Sequence, residues 1–349
     1  MAVLVLIMSI LLAMTTEMSK LWSTTTGKIE QFRGARDGFE TMTRHLSQAT
    51  LNTYWDYNNE AAPTSYIRQS ELRFMVGKTE TLAGQPTAPK RWPTYGVFFQ
   101  APLGFSEQSS NLGLENLLNT WGYYLEFTDD SAERPAMITT QIAAPRYRYR
   151  LMELMEPSES LSLYRYTSGL GLFQSGLSNN SLYLSSSPPS GYTGKEWFTT
   201  PLSASLTHVL AENVIALIIL PKLSTVEEQS LQTAGTIPSA TIGTSLAPQY
   251  SYDSTALNSN AALNPKNQLP PEVQITMVAI DEASAIRLAQ VNGTTMPDLG
   301  QSSLFTTASN MTADLATLQQ TLTSQHINFH VFTTSVGIAG AKWSSDEQN

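Results

Sequence analysis

The chain has 349 residues, a formal net charge of −9 and only 14% charged residues. A net negative charge argues against nucleic acid, whose phosphate backbone requires a basic face, so we expect no nucleic-acid partner. It contains no cysteine, which excludes disulfides, thiolate nucleophiles and cysteine-based metal sites.

Residues 1–14, MAVLVLIMSILLAM, are apolar and carry no charged side chain. As a helix they would reach ~21 Å, which is short of the ~30 Å hydrocarbon core of a bilayer. No basic region precedes the run and only a poor cleavage site follows it, so a secretory signal is not indicated. We interpret it as the later part of a membrane segment that begins upstream of Met1.

Between Ser19 and Leu51 apolar side chains recur at heptad-like spacings, as on one face of a helix. We therefore predict one N-terminal helix, hydrophobic first and then amphipathic, over residues 1–53. The half after Ile29 is also compatible with an ordinary core helix of the following domain. The residues predicted to pack in a membrane or filament are Val3, Leu4, Leu6, Ile7, Ile10, Leu11 and Met14. The stripe predicted to pack the helix on the head is Trp22, Ile29, Phe32, Phe39, Met42 and Leu46.

From Tyr54 onward, alternating patterns predict β-strands. Arg146–Leu151 alternates arginine with aromatic or apolar residues, which predicts one solvated face. Val214–Leu220 is uniformly apolar and is predicted to be a central strand buried on both faces, with Val273–Ile280 as its neighbour. Polar segments near 174–196 and 224–272 are predicted to be loop insertions in a head that spans 54–349.

Patterns typical of catalysis are absent from the sequence. His326 and His330 lie four residues apart, but HINFH lacks the glutamate of a zinc-protease helix. Nucleotide-binding and nucleophile-elbow glycine patterns are missing as well. Asp129 and Asp130 form an isolated pair, which is typical of a turn. We expect no catalytic, cofactor-binding or metal-binding residue, no small-molecule substrate and no enzymatic activity.

The order of these elements resembles the type IV pilin and type II secretion pseudopilin superfamily. Residues 36–50 (RDGFETMTRHLSQAT), the run NVIALIILP and residues 270–281 (PPEVQITMVAID) are similar to J-type minor pseudopilins. LAPQYSYDS and FHVFTTSVGIAGAKWS resemble the pilin-like Verru_Chthon cassette protein C family. The family's cleavage glycine, first phenylalanine and early glutamate are absent, and we expect them upstream of Met1.

The resemblance implies an α+β fold, with a long N-terminal pilin-like helix packed on a mainly antiparallel β-sheet head with long loops. It implies a structural minor pilin or pseudopilin subunit of a type IV pilus or type II secretion filament. Its partners would be other such subunits, contacted through the N-terminal helix, and the inner membrane. We expect a single membrane pass with the head in the periplasm or outside the cell. The alternative is a membrane-anchored exported binding protein that is not built into a filament.

Overall fold

The computed structural model describes residues 32–58, 61–111, 113–131, 134–135, 137, 142, 144–165 and 193–344. The helices in this part of the chain are α1 (Arg33–Leu46), α2 (Thr79–Ala83), α3 (Glu196–Ser203), α4 (Thr225–Thr233), α5 (Glu282–Asn292) and α6 (Met311–Ser324). The strands are β1 (Tyr54–Tyr57), β2 (Tyr66–Gln69), β3 (Phe74–Lys78), β4 (Tyr95–Pro102), β5 (Leu118–Thr128), β6 (Arg148–Glu156), β7 (Thr207–Glu212), β8 (Val214–Lys222), β9 (Tyr252–Asp253), β10 (Glu272–Ile280) and β11 (Phe329–Gly337).

The larger sheet has six strands in the order β7-β6-β5-β4-β3-β9, and all its pairs are antiparallel. Its central strands are buried on both faces, which explains their apolar and aromatic composition. At its centre, Tyr123 of β5 pairs with Val97 of β4 and with Glu153 of β6. This register brings Tyr123 and Glu153 side by side.

The second large sheet has three strands in the order β11-β10-β8. As predicted, β8 pairs with β10, for example Ile219 with Ile275. The prediction that β8 is a central strand is wrong, because it lies at the edge of its sheet. It is nevertheless buried on both faces, since β3, β4, β5 and β6 of the larger sheet contact one face and residues of α5 and α6 cover the other. Pro221 fits inside this strand because an edge position does not require its N–H.

Hydrophobic clusters fill the spaces on each side of the two sheets. The first lies between the sheets and includes Phe99, Leu125, Ile219 and Ile275, together with the inner face of α1. The second covers the outer face of the three-stranded sheet with residues of α5 and α6, and the third lies against α3 on the outer face of the larger sheet. The sheets thus lie between layers of short helices.

The arginine-rich start of β6 departs from its predicted solvated face. Arg148 and Arg150 are both buried. The Arg148 guanidinium forms a two-pronged ion pair with Glu282 at the start of α5, and one N–O distance is 2.6 Å. Hydrogen bonds to Glu282 raise the pKa of Arg148, and the same pair lowers the pKa of Glu282. The prediction of a solvated face is wrong, because carboxylates that lie far away along the chain compensate the buried arginine charges.

Residues 224–272, predicted to be a loop insertion, include regular structure. Helix α4 begins with a capping box, in which the Ser224 and Glu227 side chains each bond to the other's backbone N–H. Strand β9 then adds to β3 at the edge of the larger sheet. Most of the other predicted insertion, residues 174–192, lies outside the described residues.

The expected fold with a long N-terminal helix is wrong for the described chain. The first described helix, α1, has 14 residues, and the described part is rich in strands with only short helices. Helix α1 stops at Leu46 because the backbone after it bonds elsewhere. Thr50 N donates to Gln100 O of β4 over 2.9 Å, and Ala339 N, just after β11, donates to Ser47 O over 3.0 Å.

The predicted single-pass placement in the inner membrane is contradicted as well. No helix among the described residues is both long and apolar enough to cross a bilayer. The apolar run at residues 1–14 lies outside the described residues.

Gly122 permits the close packing of β4 on β5, and its replacement tests the fold. An added Cβ would lie 2.4 Å from Phe98 Cδ1, so we expect Gly122→Ala to destabilise the protein by about 1–3 kcal/mol. A Cβ at Gly337 in β11 would meet no atom within 4 Å, so Gly337→Ala is the matched control and should not destabilise. Urea denaturation of both variants measures the difference, and equal stability would contradict the packing described.

Candidate functional site: the seat of helix α1 and an aromatic hairpin

Helix α1 lies along the side of the molecule where both large sheets end. It contacts the edge strands β7 and β11, and we call this contact region the helix seat. The inward-facing residues of α1 are Ala35, Gly38, Phe39, Met42 and Leu46. Met42 and Leu46 are 0% exposed, and burying each contributes roughly 1.5–3 kcal/mol. The helix is therefore an integral part of the head, with its inward face in the core.

Aromatic rings join α1 to the last strand. The ring centres of Phe39 and Phe332 are 5.7 Å apart, and those of Phe32 and His330 are 5.6 Å apart. The seat thus brings together four residues of the predicted packing stripe, Phe32, Phe39, Met42 and Leu46. The other predicted packing residues lie outside the described residues: Val3, Leu4, Leu6, Ile7, Ile10, Leu11, Met14, Trp22 and Ile29.

A polar cluster connects the last turn of α1 to the centre of the larger sheet. His45 Nδ1 lies 2.8 Å from the Tyr123 hydroxyl, which donates to Glu153 Oε1 over 2.7 Å. Trp121 Nε1 donates to the same carboxylate over 2.7 Å and to the Tyr123 hydroxyl over 3.0 Å. The indole and imidazole rings meet edge to face. Three side chains, one from α1 and two from β5, thus converge on one largely buried carboxylate of β6.

The hydrogen bonds determine the charge state of this cluster. Burial raises the pKa of the Glu153 carboxyl, but donation from His45, Tyr123 and Trp121 outweighs it and lowers that pKa below its usual range. Burial and the Glu153 charge raise the pKa of Tyr123 well above its usual range. Since the phenol proton goes to Glu153, the count of donors assigns a proton to His45 Nδ1. The cluster therefore joins helix and sheet through a stable carboxylate.

A second feature is the hairpin formed by β1 and β2, which presents an aromatic face to solvent. Trp55 pairs with Arg68, whose guanidinium carbon lies 5.7 Å from the indole centre. Tyr57 pairs with Tyr66, and their stacked rings are 5.0 Å apart. Trp55, Tyr57 and Tyr66 are 57%, 46% and 62% exposed. Large aromatic side chains grouped in this way mark a surface made for contact.

Asparagine side chains fix both ends of the hairpin. At the base, Asn52 Oδ1 accepts from the backbone N–H groups of Glu71 and Leu72 over 3.1 and 3.0 Å. At the tip, Asn58 Oδ1 accepts from the N–H groups of Thr64 and Ser65 over 3.0 and 3.2 Å. The aromatic face is therefore supported by a defined backbone.

The histidine pair noted in the sequence does not form a metal site. His330 lies on β11 and packs its ring against Phe32 and Phe332, while His326 lies in the turn after α6. In the described chain no group of three His, Asp or Glu side chains is arranged to bind a metal ion.

Sequence reasoning missed both the polar cluster and the hairpin. The cluster depends on the register of β5 and β6, which no local pattern fixes. The hairpin did leave a signal, since YWDY and YIRQ are short runs rich in strand-forming aromatic residues on either side of a proline-containing link. These runs are only four residues long, which is why they did not stand out.

Comparisons with known proteins identify no relative: no protein-family model matches the chain, and neither curated proteins nor solved structures give a significant match.

The lowered pKa of Glu153 predicts how stability depends on pH. Its charge stabilises the folded state above the usual carboxyl pKa, and this contribution is lost as pH falls through the folded-state pKa. We expect the free energy of unfolding to fall more steeply between about pH 5 and pH 3 in the wild type than in Glu153→Gln. Urea denaturation across this range measures both slopes. Glu40→Gln, on the exposed face of α1, should keep the wild-type slope. Equal slopes for wild type and Glu153→Gln would contradict the role of the cluster.

Two glycines of α1 provide a matched test of the helix seat. A Cβ at Gly38 would lie 3.2 Å from Ala211 Cβ and 3.3 Å from Leu210 Cγ, whereas one at Gly34 would meet nothing within 4 Å. Gly38→Leu should destabilise by about 1–3 kcal/mol because the helix must move away from β7. Gly34→Leu should stabilise by up to about 1 kcal/mol through helix propensity. Thermal unfolding compares the variants, and a change of the same sign in both would refute the contact.

Proposed function

We propose that this chain is a structural, non-catalytic subunit of a pilin- or pseudopilin-like filament and assembles with other subunits through its N-terminal segment. The observation that carries the proposal is the burial of α1 in the helix seat. A subunit attached through its N-terminus must transmit force from that segment to its head. Helix α1 provides such a connection, because its apolar face belongs to the core between the sheets.

The contacts at the end of α1 support this role. His45 in its last turn binds the Tyr123–Glu153 pair, and Ser47 just after it accepts a backbone hydrogen bond from Ala339. The larger sheet and the segment that follows β11 are therefore bonded to the same helix end. Pulling α1 away would expose Met42 and Leu46 and leave Glu153 without one of its donors, so the helix and head should move together.

The sequence before α1 supports the assembly step. Residues 1–14 carry no charged side chain, and an apolar segment of this kind is removed from water when it packs against identical segments. The family resemblance of residues 36–50 and 270–281 points in the same direction. The competing function is a binding protein that acts alone, which predicts a chain that stays monomeric under conditions where a subunit would assemble.

Charged substitutions in the N-terminal segment test the proposal. We expect the full wild-type chain to form large assemblies, and Leu6→Glu or Leu11→Glu to abolish them because a carboxylate cannot be buried without a partner. Sedimentation velocity and negative-stain electron microscopy measure assembly, and urea denaturation verifies that the head remains folded. Val291→Glu, at an 83% exposed position on α5, is the control and should assemble normally. A monomeric wild type, or variants that assemble as well as the wild type, would refute the proposal.

A further inference from the structure

We infer that Asn292, at the end of α5, is a site of spontaneous deamidation whose rate is set by the opening of the last helical turn. Asn292 is the last residue of α5 and is followed by Gly293. It is the one asparagine in the sequence that precedes a glycine. A glycine has no Cβ to hinder the approach of its backbone nitrogen to the preceding side chain. The reaction is therefore fastest at this asparagine once the chain is open.

The reaction requires only the chain and water. The Gly293 nitrogen attacks Cγ of the Asn292 side chain, so that an N–Cγ bond forms and the Cγ–Nδ2 bond breaks. The amide proton of Gly293 leaves with Nδ2 as ammonia, and a five-membered succinimide remains. Water then opens this ring at either carbonyl, which gives aspartate or isoaspartate and one new negative charge.

The folded helix holds both reacting groups in hydrogen bonds. Asn292 Nδ2 donates to Leu288 O over 2.9 Å, and Gly293 N donates to Ala289 O over 2.9 Å. Both bonds must break before the reaction, because the Gly293 nitrogen has to lose its proton and turn toward the side chain. The closed turn therefore protects Asn292, and the reaction proceeds from the open turn.

The two ends of α5 are attached differently. At its start, Glu282 binds Arg148, and the Asp281 side chain accepts a hydrogen bond from Asn328. At its end, the hydrogen bonds of Asn292 and Gly293 join them only to residues 288, 289 and 295 of the same segment. The last turn is also open to water, since Val291 is 83% exposed and Gly293 is exposed. Such a turn opens locally while the rest of the helix stays folded.

The product is unfavourable where it forms. A carboxylate at residue 292 cannot donate to Leu288 O, and it adds negative charge at the C-terminal end of α5, where the helix dipole is already negative. Asp298 lines the same groove as residue 292 and carries a like charge. The modified helix end is therefore less stable than the original one. The inference does not depend on filament assembly, because α5 packs on the outer face of the three-stranded sheet, away from the helix seat.

Substitutions at Val291 test the opening step without changing the reacting residues. The full chain, Val291→Ala and Val291→Gly are kept in buffer or in concentrated urea, and peptide mass spectrometry follows the conversion of Asn292. We expect the wild type to react at least about tenfold more slowly in buffer than in urea. In buffer, Val291→Gly should react about threefold faster than Val291→Ala, because glycine favours the open turn and alanine the closed one. In urea the two variants should react equally fast, since no helix remains.

A pair of asparagine substitutions tests the effect of the product. Asn292→Asp carries the product's charge and should lower the midpoint of thermal unfolding by about 2 °C. Asn310→Asp places the same charge at the exposed start of α6, where the helix dipole favours it, and should not lower the midpoint. Asn292→Gln cannot form the five-membered ring and should stay unmodified at this residue.

Three results would overturn the proposed site: conversion of Asn292 as fast in buffer as in urea, equal rates for Val291→Ala and Val291→Gly in buffer, or an unmodified Asn292 in urea. An Asn292→Asp variant as stable as the wild type would overturn the effect assigned to the product.

Discussion

Two sheets that end on the same side leave two unpaired strand edges and an open core, and such edges invite pairing with other chains unless they are covered. Helix α1 covers this side by inserting Met42 and Leu46 between the sheets. The fit depends on Gly38, where a larger side chain would collide with β7. The polar cluster around Glu153, the aromatic contacts to β11 and the backbone bond from Ala339 all follow from this one placement.

Strand β6 supplies the charged residues that attach two helices to the sheets. Glu153 accepts hydrogen bonds near the end of α1, and Arg148 binds Glu282 at the start of α5. Both side chains are largely buried, so removing one partner weakens the compensation of a buried charge, which then depends on Tyr123 and Trp121 for Glu153 and on Glu212 for Arg148. This makes each helix position specific, since a purely apolar contact would tolerate small shifts that directional hydrogen bonds do not.

How much could be predicted from the sequence depends on how far apart along the chain the interacting residues lie. The buried runs of β8 and β10 could be recognised from the local sequence, and their pairing could be predicted because both are long and apolar. The spacing of Phe39, Met42 and Leu46 likewise predicted the inward face of α1. Arg148 was misread as solvated because its partner, Glu282, lies far away along the chain. The helix was predicted to run to residue 53, but it ends at Leu46 because the backbone that follows bonds to Gln100 and Ala339, which only the folded chain brings near.

Helix α1 and its partner strand β11 lie at opposite ends of the described chain. Its seat is completed by β11, the last of the described strands, whereas α1 is the first of the described elements. During synthesis the apolar face of α1 therefore emerges long before the strand that covers it. This delay is a hazard, because exposed apolar surface promotes aggregation in growing chains. The apolar face of α1 is therefore fully covered only after β11 has been synthesised, near the end of the described chain.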